Sequence, residues 1–444
     1  MRDLLIFLVY LAYICVGFLV PFVAALGYVW VDTFYPQAVA YGLLTYVPVS
    51  LVIAIVTVGS YALFDRRAMP ILGMHFWLTA LMVIWVTLTC TWAVLPDFAW
   101  SKWNWAVKTV AFSAFIPFFF RSRLQIEAFI LTWLFAAVVH IVPVGLKTLY
   151  AGGGYGYSLG VMAGNSLLAE GSTLSIVCAM FVPLLMWVRS HALLVPEKLR
   201  APGSYGYAAL AGAAAIGTVE RTALVAFGVS ALGMLLRSRR KILAAILITC
   251  AVLAGGLVTS SQWEARMATA TDYGGDNSAL TRLAVWKWTI GFASEHPFGG
   301  GFESSRVSQI VTTTADGSTY VQYGRAFHNA FIEVLGEQGY PGLAIFLALC
   351  LKTLLSLQRV RYWTKNVEAF AWTRDLAGAL QLALLVTMAG GMFVGIAFQP
   401  IFWYVFAVSE CVRQHVRRAV LGGVPQLAQT GLGMASDLAP APLA

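Results

Sequence analysis

Long uninterrupted apolar stretches are the feature that most limits what this chain can fold into. Leu4–Trp30, Ala40–Phe64, Ile71–Leu95 and Lys241–Thr259 are each close to the length a membrane-crossing helix needs. A helical residue rises about 1.5 Å, so a hydrocarbon core about 30 Å thick takes about 20 residues. The short alternating segments of a membrane barrel are missing from the pattern. Charged residues fill only 11% of the 444 positions, well below the roughly 25% of a soluble domain. The expected fold class is an all-α polytopic membrane protein.

Hydropathy places about twelve transmembrane helices, at 3–30, 40–64, 71–95, 103–120, 124–146, 164–188, 205–218, 221–236, 241–259, 338–358, 375–392 and 395–415. The first stretch is longer than a signal-peptide core and lacks a small-x-small cleavage site, so it reads as a retained helix. It can also be divided into two short helices near Gly17 and Pro21. The expected organisation is nine transmembrane helices over 1–259, a long outer loop with surface helices over 260–337, three further transmembrane helices over 338–415, and a disordered cytoplasmic tail over 416–444. Most of the 29 Lys and Arg residues then fall in alternate loops, with Arg2, Arg66, Arg67, Arg121, Arg123, Arg237, Arg361 and Arg418 on one side. The positive-inside rule assigns that side, and both termini, to the cytoplasm. The sequence pI of about 9.3 is therefore a topology signal, and no nucleic-acid partner is expected.

The six cysteines sit in or beside apolar runs without a C-x-x-C, which argues against disulfides and thiolate metal sites. With no D-x-D, no outward His/Cys cluster and no Walker A motif, neither a metal nor any other cofactor is expected.

Candidate site residues come from polar groups placed at membrane depth. As one helix, 205–236 would be about 48 Å long, too long for one crossing. Two short spans with a turn at "GTVER" resolve this and place Arg221 at the start of a helix, inside the outer leaflet. A charge there is costly and marks a functional site by default, and a helix N-terminus suits phosphate. Pairing with Glu220 or snorkelling outward is the competing account of Arg221. Arg282 lies in the aromatic stretch "ALTRLAVWKWTIGF" (279–292), which reads as a helix along the membrane surface. It can grip phosphate or simply sit at headgroup level. His328 opens the run "HNAFIEVLGEQG" just before a span; its imidazole can take a proton near neutral pH, or it can merely cap the helix. Lys108, Asn165, Glu170, Asn329 and Gln399 also stand near outer span ends as possible cavity-lining residues. The tryptophans Trp92, Trp100, Trp103 and Trp105 fit an interfacial belt better than a sugar platform. "HPFGGGF" (296–302) reads as a flexible turn.

Three stretches together resemble the bacterial O-antigen ligase family, which is related to O-antigen polymerases and protein O-oligosaccharyltransferases. "ERTALVAFGVSALGML" (220–235) looks like the family's Arg-Thr/Ser-Ala helix start. "TRLAVWKWTIGFASEHPFGGGF" (281–302) is similar to its Arg…Trp…His-Pro…Gly-x-Gly run, and "FHNAFIEVLGEQGYPGLAIF" (327–346) to its His-Asn…Glu-x-Gly-x-x-Gly signature. "AGNSLLAEG" (163–171) is a looser match. The resemblance covers roughly 220–346.

It implies a GT-C-like glycosyltransferase of the bacterial inner membrane with its active site facing the periplasm. The expected partners are an undecaprenyl-diphosphate-linked polysaccharide donor and a lipid A–core acceptor. Arg221 and Arg282 would correspond to the diphosphate-binding arginines and His328 to the essential histidine. The transfer would be inverting and metal-independent. A polymerase or protein oligosaccharyltransferase shares the donor chemistry, and a transporter or flippase remains the alternative of a different class.

Overall fold

A computed structural model describes residues 2–151, 167–238, 240–256, 277–313 and 319–421. Asn165, most of the glycine-rich stretch 151–160, the start of the long loop and residues 422–444 lie outside these residues, while 416–421, expected as tail, continue the last helix to Leu421. Among the described residues there are fifteen α-helices and one two-stranded hairpin. Five helices among the described residues are long and apolar enough to cross a membrane: Arg2–Leu19, Met74–Thr91, Arg123–Ala151, Gly171–His191 and Ala330–Trp363. The molecule is an all-α polytopic membrane protein.

The chain opens with a helical hairpin. α1 (Arg2–Leu19) and α2 (Pro21–Phe34) are separated by Val20, and Pro21 suits the first turn of a helix because no N–H is needed there. Gly17 lies against Ala24 and Gly27 against Tyr13, contacts that a continuous helix could not make. A short helix α3 (Pro36–Val39) leads to α4 (Val49–Phe64). Tyr10 Oη donates to the Val49 carbonyl at 3.0 Å, Tyr41 N donates to Asp3 at 3.0 Å, and the Phe18 and Phe64 rings are 5.7 Å apart. Arg2 therefore lies at the end of this layer opposite Arg66 and Arg67. A single span over 3–30 would have put them together; the close fit at Gly17 turns the chain back instead.

α5 (Met74–Thr91), α6 (Pro96–Phe119), α7 (Arg123–Ala151), α8 (Gly171–His191), α9 (Glu197–Gly217), α10 (Arg221–Arg237) and α11 (Lys241–Gly256) follow. Every residue of α8 from Gly171 to Phe181 is buried, the mark of a helix that packs on all sides. Basic side chains gather at one end of the bundle. Arg67 donates to the Phe118 carbonyl at 3.2 Å and Arg123 to the His191 carbonyl at 2.9 Å, while the Arg121 carbonyl meets His415 and Arg418.

The rest of the described chain comprises α12 (Asn277–Glu295), β1 (Gln309–Thr313), β2 (Thr319–Tyr323), α13 (Ala330–Trp363), α14 (Ala371–Gly391) and α15 (Pro400–Leu421). β1 and β2 pair antiparallel, from Gln309 opposite Tyr323 to Thr313 opposite Thr319. Val285, Ile310 and Phe327 form a small core that joins α12, β1 and the approach to α13. The glycines of 296–302 form no loose turn. Gly339 breaks α13 at φ 66°, and Pro341 brings no N–H, so the Glu337 carbonyl lacks its helical partner. Gly301 N donates to that carbonyl at 2.9 Å, Gly300 N to the Gly336 carbonyl at 3.0 Å, and Tyr340 N to the Pro297 carbonyl at 3.0 Å. A Cβ on Gly299 would stand 2.6 Å from Gly339 N. Glycine is needed here because two backbones meet.

Candidate functional site

The α9–α10 corner places Arg221. The turn spans 218–220, and Arg221 is the first residue of α10, behind an extended Glu220. Thr218 Oγ1 lies 2.8 Å from Ser175 Oγ on α8, and any side chain at Gly217 would collide with Thr148 on α7. Gly171, the first residue of α8, leaves room for Glu220: a Cβ there would stand 3.1 Å from Glu220 Cγ. The turn is closed by Val219 at φ 54°, a left-handed conformation that a β-branched residue rarely takes.

His328 is placed from the other side. Asn329 caps α13, its Oδ1 accepting from Phe331 N at 2.9 Å and Ile332 N at 3.2 Å. His328 precedes that cap at φ 47°, a strained conformation held by the structure on either side of it. On the upstream side, Trp286 Nε1 on α12 donates to the Phe327 carbonyl at 2.9 Å. Arg282 is one turn before Trp286 and shares its helix face.

The charges acting on the imidazole identify what surrounds it. Loss of hydration lowers the His328 pKa most; Arg282 lowers it further, Glu170 opposes, and Arg325 again lowers it. The side chain is open to solvent, as a group meeting an incoming substrate must be, yet protein crowds it enough for dehydration to dominate. The imidazole is therefore held below its ordinary value of about 6.5 and stays neutral near pH 7. Glu170 is the N-cap of α8, accepting from Thr173 N at 2.6 Å and Ser172 N at 3.2 Å. The link from His328 to Arg221 runs through Glu170, Gly171 and Glu220. Arg221, Arg282, Arg325 and His328 thus belong to one end of the bundle, opposite the basic end of Arg67 and Arg121.

Residues 206–347 match the family model described as O-Antigen ligase. Over this region the chain is similar to the O-antigen ligase family. Residues 1–193 match a family of unknown function, DUF5935. No curated protein matches the chain. The match supports a function of the O-antigen ligase or polymerase type, in a multi-pass membrane protein.

The ligase region is braced by a group that the sequence reading missed. Lys102 on α6 reaches into the first turns of α13, with Nζ 2.6 Å from Glu333 Oε1 and 2.8 Å from Glu337 Oε1, all three side chains buried. Glu333 Oε2 accepts from Ala397 N at 3.1 Å, and Glu337 Oε1 from Glu303 N at 2.9 Å. The spacing of Glu333 and Glu337, one helical turn apart just after His328, was the available signal. Of the other expected lining residues, Asn329 is buried and engaged as a cap. Lys108 is half-buried on α6 and is not among the charges that act on His328. Gln399 is half-buried between α14 and α15, its Oε1 without a partner among the described residues.

Proposed function

We propose that the chain transfers a polysaccharide from undecaprenyl diphosphate to lipid A–core at the periplasmic face of the bacterial inner membrane. The supporting observation is an accessible imidazole, held toward its neutral form, that shares its surroundings with Arg282 and Arg325 and one end of the bundle with Arg221. Neutral His328 takes or orients the proton of an acceptor hydroxyl, whose oxygen attacks the anomeric carbon of the donor sugar. The bond from that carbon to the diphosphate oxygen breaks, undecaprenyl diphosphate leaves with the electron pair, and the configuration inverts. Departure needs compensation for growing negative charge more than it needs a proton. Arg221 and Arg282 supply that compensation at the diphosphate, with Arg325 adding a third positive charge; such donors commonly contribute about 100- to 1,000-fold in rate.

Purified protein supplied with lipid-linked donor and acceptor tests this. Arg221→Ala and Arg282→Ala are each expected to lose about 100-fold or more in transfer, and His328→Ala to abolish it while the protein stays folded. Full transfer by His328→Ala would remove the histidine from the mechanism. In cells lacking the gene, core-only lipid A with lipid-linked polymer accumulating is the ligase result; a core carrying one repeat is the polymerase result.

A further inference from the structure

At the end of the bundle opposite His328, two arginines meet without a carboxylate. Arg237 closes α10, about 24 Å along that helix from Arg221, and Arg361 stands near the end of α13. Both reach Gln381 on α14: its Oε1 accepts from Arg361 Nη1 at 2.9 Å and from Arg237 Nη2 at 3.5 Å. The Gln381 amide nitrogen is committed to the Leu354 carbonyl at 3.1 Å and Gln358 Oε1 at 3.2 Å, which fixes the oxygen toward the arginines. Arg237 Nη1 also donates to the Gly378 carbonyl, and Arg361 Nη1 to Gln358 Oε1 at 3.3 Å. A Cβ on Gly378 would stand 3.7 Å from Arg237 Nη1 and 3.7 Å from Arg361 Nε, so both guanidiniums border one glycine.

Every acceptor in this group is neutral. Among the described residues no carboxylate pairs with either arginine. Asp375, close by in the sequence, is engaged by His191 at 2.8 Å and by Arg374. The carboxyl ends of α10 and α13 each offset about half a charge, which leaves about one of the two positive charges uncompensated. Arg237 Nε and Arg361 Nε and Nη2 make no hydrogen bond among the described residues. Converging guanidinium donors with spare N–H groups suit a phosphate, which accepts from several donors at once. Behind them Leu232 and Leu236 on α10 and Leu351 and Leu355 on α13 expose apolar side chains, a surface that acyl chains would cover and a free phosphate would not use.

We propose that Arg237 and Arg361 hold the headgroup phosphate of an anionic phospholipid between α10, α13 and α14, at the face of the membrane opposite the transfer site. Basic pockets between helices at a membrane face take such headgroups. The site is separate from the transfer chemistry.

Native mass spectrometry of the purified full chain, with phosphatidylglycerol or phosphatidylcholine added, tests the assignment. The wild-type protein is expected to retain phosphatidylglycerol about tenfold better than phosphatidylcholine. Arg237→Gln/Arg361→Gln should lose that preference while keeping transfer activity in detergent. Gly378→Asp is a second route that leaves both arginines in place: a carboxylate within reach of both guanidiniums should displace the lipid. An unchanged preference in either variant would overturn the proposal. Protection from thermal unfolding by inorganic phosphate as strong as that by the lipid would overturn the lipid assignment in favour of a free anion.

Discussion

His328 shows how a residue recognisable from its neighbours acquires its chemistry from distant groups. Its position before Asn329 and an amphipathic run was readable locally. Its surroundings were not: Arg282 and Glu170 come from other helices, and both act on the imidazole. The consequence for pH can be signed. Transfer that needs a neutral imidazole fails as the pH falls through its pKa, and that pKa is held below the ordinary 6.5 by dehydration and by Arg282. The acidic limb of the kcat profile should therefore lie below pH 6.5. Arg282→Gln removes a positive neighbour, so the midpoint should move up in that variant even as the rate falls. A limb that stays in place would mean that the arginine does not act on the titrating group. Val219 and His328 both take left-handed backbone, at a cost of about 1–3 kcal/mol each; nothing in the composition of "GTVER" or "RAFHN" announced this.

At the scale of elements, the start of α13 is where most of the candidate geometry is built. The family-like run "HNAFIEVLGEQGYPG" was readable as a helix start, and the structure gives its letters physical jobs. Asn329 caps, Glu333 and Glu337 hold Lys102, and Gly339 bends the chain so that Pro297–Gly301 can dock. Lys102 escaped sequence reading because its partners are 231 and 235 residues away, beyond any local spacing rule. A buried pair that loses one member leaves an uncompensated charge, at a cost of about 3–5 kcal/mol. Lys102→Met should therefore lower the thermal midpoint strongly, and Lys102→Met/Glu337→Gln should recover part of the loss. Equal midpoints for Lys102→Met and wild type would mean that the clamp contributes nothing. The β1–β2 hairpin was also missed, since two five-residue strands between helices carry too little alternation to be separated from loop.

For the whole molecule, runs of apolar residues revealed a polytopic bundle, and the length of 205–236 revealed the corner at Arg221. They did not reveal that residues 2–34 fold back on themselves, because a run of that length fits one tilted span or two short helices equally well by hydropathy. The close approach of Gly17 to Ala24 decides it. With the basic end in the cytoplasm, an impermeant thiol reagent applied to cells should label Arg2→Cys and not Arg66→Cys in a background without native cysteines. Identical labelling of the two would contradict the hairpin. If arginines grip the donor while His328 serves the acceptor, donor affinity measured beside turnover separates the two roles. Undecaprenyl diphosphate should bind His328→Ala as tightly as wild type while transfer is lost, and should bind Arg221→Ala/Arg282→Ala at least tenfold more weakly. Normal turnover in His328→Ala, or unchanged binding in the double arginine variant, would show that these residues do not divide the work in this way.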